Sequence, residues 1–186
     1  MAEIPKPYKQ IILSAGFLGV ATIASQFMMP FEGKTYQSYR DSGGVWTICR
    51  GHTHGVKQGQ TATDSECDRW YAEDIATAER TYNRLVQKEY PTGVKAASVS
   101  FIYNAGPANF ARSTILKKLT IGDRVGACNQ FPRWVYVDGK NCALRANNCY
   151  GIVTRRQKEK ELCLQDNFKF TPKFDFATDA FLERHE

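Results

Sequence analysis

A chain of 186 residues, 42% hydrophobic and 12% aromatic, has the apolar content of one packed domain, which excludes disorder along its length. Its net charge of +6 favours anionic partners, and composition does not choose among nucleic acid, anionic lipid and cell wall. The basic residues are scattered, with Lys117-Lys118 and Arg155-Arg156 the densest pairs, and no nucleic-acid-binding motif accompanies them. Nucleic acid is not an expected partner.

Ile11 to Phe31 is a run of 21 residues without a charge, preceded by Lys6 and Lys9. It is long enough to span a bilayer as a helix, with residues 1–9 as a basic cytoplasmic end. Yet only eleven of the 21 are Ile, Leu, Val, Phe or Met, and Ser14, Thr22, Ser25 and Gln26 dilute them. Three readings compete: a signal peptide cut after Thr22-Ile23-Ala24, a permanent anchor, and an uncleaved anchor over residues 10–29 that later leaves the membrane. All three export the remainder of the chain. Export matters for the six cysteines, Cys49, Cys67, Cys128, Cys142, Cys149 and Cys163, which should then oxidise. They contain no Cys-x2-Cys pair, and His52, His54 and His185 fall at no ligand spacing with them, so neither metal nor cofactor is expected.

Glu32, Asp41 and Thr47 come next, in the order E-x8-D-x5-T. Two carboxyls either side of a turn suit glycosidic cleavage, where one must donate a proton and the other must be ionised to activate water or stabilise positive charge. Residues 36 to 61 mix Tyr, Val, Trp, Thr and Ile with Gly43-Gly44, Gly51, Gly55 and Gly59, which predicts two or three short antiparallel strands. A hairpin there would set Asp41 beside Thr47. Cys49 near His52 could also be read as a nucleophile and base, but a disulfide at Cys49 better explains the even cysteine count. His54 is expected to lie in a loop.

Thr63-Asp64-Ser65-Glu66 is a capping box, opening a long helix to about Val86 with Cys67, Trp70, Ile75, Ala78, Tyr82 and Leu85 as its core stripe. Pro91-Thr92-Gly93 reads as a break, Val94 to Ala105 as an apolar helix, and Ser113–Leu119 and Asp123–Phe131 as two short helices. Trp134 and Tyr136 are candidates for a cleft wall. Asp138 to Cys149 reads as a polar loop, in which Cys142 and Cys149 suit a local disulfide. A final helix runs from Gly151 to about Leu164. Cys163 with Cys128 would leave Cys49 with Cys67, one of fifteen connectivities open to six cysteines. Five phenylalanines fall in residues 166–186, and this tail is expected to pack against the body, since apolar rings are costly to leave in water.

The run E-G-x5-Y-x-D-x2-G-x-W-T-I-x2-G-H-T resembles the phage-type lysozymes of glycoside hydrolase family 24. Two further blocks resemble the same family in the same order: Ser100-Phe101-Ile102-Tyr103-Asn104-Ala105-Gly106, and Gly151-Ile152-Val153-Thr154-Arg155-Arg156 running on to Glu159 and Cys163. The resemblance implies an α+β, helix-rich fold of two lobes, with a small antiparallel sheet and a long inter-lobe helix, over residues 30–165. It implies hydrolysis of the β-1,4 bond between N-acetylmuramic acid and N-acetylglucosamine in peptidoglycan by a monomer. Glu32 would be the acid at the end of the first helix, Asp41 the base or charge stabiliser, and Thr47 a holder of water. Asn104 would contact substrate, with capping of its helix as the alternative, and Arg155 would pair with Glu32 or line the site. The inverting outcome of the family would place the carboxyls roughly 6.5–9.5 Å apart.

The apolar segment likewise resembles the anchor of signal-anchor-release endolysins, which implies an enzyme tethered to the inner membrane, facing the periplasm, and later soluble there. Three rivals remain. A lytic transglycosylase would not need Asp41, a Cys/His peptidase would need a free thiol at Cys49, and a silent binding module would not need the intact Glu, Asp and Thr.

Overall fold

The computed structural model describes residues 20–41 and 43–166. The expected basic N-terminus, the first half of the expected membrane segment and the Phe-rich tail lie outside them.

Helix α1, Val20–Met28, buries Ile23, Ala24 and Met28 on one face, and a 3-10 turn over Met29–Phe31 follows. Pro30 lies in that turn, has no N–H to continue the α-helical ladder, and so ends it. The second half of the expected membrane segment is therefore packed into the protein as a helix. Among the described residues no helix is long and apolar enough to cross a membrane.

Strands β1, Thr35–Arg40, and β2, Trp46–Cys49, form an antiparallel hairpin in which Tyr39 faces Thr47 and Arg40 faces Trp46. Gln37 adds a bridge to Thr61, the trace of a third strand. Ile48, Cys49 and Cys67 make the small buried core of this lobe, with Trp70 packed against it. Cys49 has φ +59, a left-handed conformation that costs a residue with a Cβ, and its disulfide to Cys67 holds it there.

Helix α2, Asp64–Leu85, opens on the capping box: Thr63 accepts from the Glu66 N–H, and Glu66 accepts from the Thr63 N–H. Its buried face carries Cys67, Tyr71, Ile75, Ala78 and Tyr82. Tyr71, not Trp70, is the core aromatic. Trp70 is half-buried and stacks on His52, their ring centres 5.0 Å apart, and His52 Nδ1 lies 2.8 Å from Asp74 Oδ2.

Helix α3, Thr92–Ala105, is buried nearly all round and forms the axis of the large lobe. It starts directly after Pro91, so Gly93 belongs to the helix and not to a break. A Cβ at Gly93 would collide with the Leu162 carbonyl, so glycine there lets two helices touch. Helices α4, Pro107–Arg112, α5, Thr114–Ile121, and α6, Arg124–Cys128, wrap this axis, and Phe101 packs its ring against Phe110, Phe131 and Trp134.

The expected polar loop contains a hairpin, β3 Tyr136–Val137 with β4 Lys140–Asn141, and a 3-10 turn at Arg145–Asn147. Helix α7, Gly151–Leu164, closes the lobe. Disulfides join Cys49 to Cys67, Cys128 to Cys163 and Cys142 to Cys149, with Cα separations of 5.2, 5.5 and 4.9 Å. The result is a helix-rich fold of two lobes, with α2 running from the small sheet into the large core.

Candidate active site

Glu32 follows the 3-10 turn at the end of α1, where the chain changes from helix to strand and the side chain is half-buried. Tyr71 donates its hydroxyl to the Ser25 carbonyl of α1 at 3.0 Å, which fixes the helix that carries Glu32. From the far side of the lobe, Arg155 donates from Nη1 to Glu32 Oε1 at 2.5 Å, and its guanidinium lies 5.6 Å from the Phe31 ring centre. A carboxyl hydrogen-bonded to a buried guanidinium is fixed in direction.

Asp41 ends β1, accepts the Val45 N–H on Oδ1 at 2.8 Å, and is half-buried. Gly44, at φ +76, lets the chain turn back below it. Thr47 is buried, and its hydroxyl donates to the Val45 carbonyl at 3.1 Å. Since Thr47 faces Tyr39 in the ladder, Asp41 is its diagonal neighbour and not its direct partner. Tyr39 ties the two halves together electrostatically: its hydroxyl is held above the ordinary range by burial, then by the charges of Asp41 and Glu32. Tyr103 of α3 is raised by burial first and by Glu32 second, and its hydroxyl donates to the Arg50 carbonyl at 2.5 Å, joining the lobes beside the site.

Asn104 is exposed, and its Oδ1 accepts from Arg156 Nη2. The helix-capping alternative fails, because Gly106 is the residue that ends α3. Asn104, Trp134, Tyr136 and Arg156 line a groove of about 690 Å³. Thus Glu32 and Arg155 touch, Asp41 and Thr47 share one hairpin, and Asn104 lies with Arg156.

Three residues that sequence reasoning did not assign to the site complete this arrangement. Glu159 is fully buried and accepts from Ser100 Oγ at 2.7 Å, Arg155 Nε at 3.3 Å and Arg156 Nη1 at 2.5 Å. Ser100, Arg156 and Glu159 all stood inside the recognised sequence blocks. The one signal for Glu159 was its i+3 and i+4 spacing from two arginines on a helix.

Cys49 is bonded to Cys67, which leaves no thiolate for a Cys/His peptidase. Among the described residues no group of His, Cys, Asp or Glu is set to hold a metal ion.

Residues 29–159 match the sequence model of the phage lysozyme family. The chain is 40% identical over 134 residues to the SAR-endolysin of Enterobacteria phage P21, covering 72% of this chain and 77% of that one. It is 35% identical over 157 residues to the SAR-endolysin of Escherichia phage 933W, covering 82% and 89%. Among solved structures it is similar to the active form of P1 phage endolysin Lyz, with TM-score 0.69, 27% identity and 88% and 94% of the two chains covered. It is also similar to a mutant of P22 lysozyme, with TM-score 0.64, 28% identity and 79% and 99% covered. The match takes in Glu32, Asp41, Thr47 and Arg155 together with the folded core that aims them, and the chain belongs to the phage lysozyme family.

Proposed function

We propose that this protein is an endolysin that hydrolyses the β-1,4 bond between N-acetylmuramic acid and N-acetylglucosamine in peptidoglycan, and so lyses the host cell. Glu32 protonates the departing glycosidic oxygen. Asp41 serves as base or stabilises positive charge on the sugar, and Thr47 holds the attacking water on the opposite face, with inversion at the anomeric carbon. Asn104 contacts substrate along the groove, and Arg155 fixes the direction of the acid. The observation that carries this reading is Glu32 at the close of α1, held by Arg155, with the charges of Glu32 and Asp41 both acting on Tyr39 of the hairpin that carries Thr47. A lytic transglycosylase would make no use of that second carboxyl.

The protein is exported, tethered to the inner membrane through residues 10–29, and active once it is soluble in the periplasm. The diluted apolar run and the names of its relatives support this. So does α1: residues that would sit in the bilayer are residues that carry Glu32 in the folded enzyme. While they are in the membrane the acid has no fixed position, and a catalytic pair must be held to within about 0.5 Å. Release lets the segment refold as the first helix.

Digestion of purified peptidoglycan, with new ends identified by mass spectrometry, tests the reaction. Reducing muramic acid ends, lost in Glu32→Gln, are the expected products. Anhydro ends or free amines would replace the reading with a transglycosylase or a peptidase.

A further inference from the structure

We infer that Glu159 is a positioning residue for hydrolysis: beneath the cleft it braces Arg155 against Glu32 and Arg156 against Asn104, and it balances the charge of both. The inference rests on the reading of Glu32 as the general acid.

Glu159 lies on α7 with no exposed surface, and each of its oxygens serves one side. Oε1 takes the Ser100 hydroxyl and Arg155 Nε, while Oε2 takes Arg156 Nη1. Arg155 spends its other nitrogens on Glu32 through Nη1 and on the Ser100 carbonyl through Nη2, at 2.5 and 3.3 Å. Arg156 spends its own on the Trp134 carbonyl, at 3.2 Å, and on Asn104. Each guanidinium is a planar fork, so gripping one edge decides where the other edge points. One buried carboxyl therefore aims a donor at the acid and a second donor at a residue of the substrate groove.

Its charge matters as much as its grip. A buried ion cluster stabilises a fold little more than apolar packing of the same volume, so what this one adds is direction and charge balance. Arg156 is pulled below its ordinary range by burial, and Glu159 is the main group opposing that. Arg155 of α7 donates to Glu32, and the charge of Glu32 acts in turn on Arg156 of α7, Tyr103 of α3 and Tyr39 of β1, the last also under the charge of Asp41. Removing the charge of Glu159 leaves the two buried guanidinium groups without the carboxyl that they share. Added positive charge beneath a site disfavours the protonated form of an acid that acts there.

The test is kcat and KM on soluble glycan strands across pH for the wild type, Glu159→Gln, Glu159→Asp and Glu32→Gln, with cooperative melting recorded for each. Glu159→Gln keeps the shape and removes the charge. It is expected to lower kcat by about ten- to a hundred-fold through misaimed groups. The alkaline limb of its kcat profile should move to lower pH, and Glu159→Asp should return the limb toward the wild-type position. A merely structural residue would change the melting and the active fraction but leave the limb in place. A folded Glu159→Gln with the wild-type profile and wild-type kcat per folded molecule overturns the inference. If Glu159→Gln does not fold, Glu159→Asp decides: kcat per folded molecule unchanged overturns the inference, and kcat per folded molecule reduced about ten-fold with wild-type melting supports it. Glu32→Gln keeps the two claims apart, since residual activity there removes the acid itself, whatever Glu159 does.

Discussion

Thr47 shows how much a single residue owes to register. Its hydroxyl is buried and already donates to the Val45 carbonyl, so in the proposed reaction only its lone pairs remain, as acceptors for a water proton. Thr47→Ala is expected to lower kcat by about a hundred-fold, within the usual range for a lost proton-handling group, whereas Thr47→Ser retains most activity. Steady-state kinetics on soluble glycan strands check both. Glu79 shows the cost of burial at the same scale. It is 1% exposed and pairs with Lys95 at 2.7 Å, yet burial still holds its carboxyl above the ordinary range. A carboxyl raised on folding binds its proton more tightly in the folded chain than in the unfolded one. Stability from this group is therefore present below the unfolded value and lost as pH rises through the raised one. Glu79→Gln removes that loss, so melting curves between about pH 4 and about pH 7 should show the variant gaining on the wild type as pH rises.

At the scale of elements, what was legible was what announces itself locally. The capping box placed the start of α2, and its apolar spacing placed the buried face, except that Tyr71 displaced Trp70. That exchange is tertiary in origin: Tyr71 points toward α1, while Trp70 points toward His52. The apolar helix ends at Ala105 as expected, but Pro107 suits the first turn of a helix, and α4 starts there unforeseen. The β3–β4 hairpin carried the Asp138-Gly139 signal, and both residues take positive φ, 49° and 75°. Its strands are two residues long, too short for alternation to show. Thr63→Ala is expected to cost about 1 kcal/mol, read as a lower melting temperature with kcat per folded molecule unchanged. Gly93→Ala should cost more, because the Leu162 carbonyl must move away and α3 and α7 must part.

Across the whole molecule, Glu32, Asp41 and Thr47 could be proposed together because they lie within sixteen residues of one another in a distinctive run. The bracing beneath them was not. Glu159 reaches Ser100 across 59 positions, and Arg155 reaches Glu32 across 123, so only the folded chain brings them together. The same holds for α1, whose sequence reads as membrane and whose place in the enzyme is against α2 and α3. The measurement that tests this most directly is the yield of reducing muramic acid ends from peptidoglycan treated with the released full chain and with a fragment of residues 30–186. The fragment keeps Glu32, Asp41 and Thr47 but loses the helix that positions Glu32. Activity in the full chain and none in the fragment is the expected result. A fragment as active as the full chain would contradict it, and would leave residues 10–29 as an anchor and nothing more.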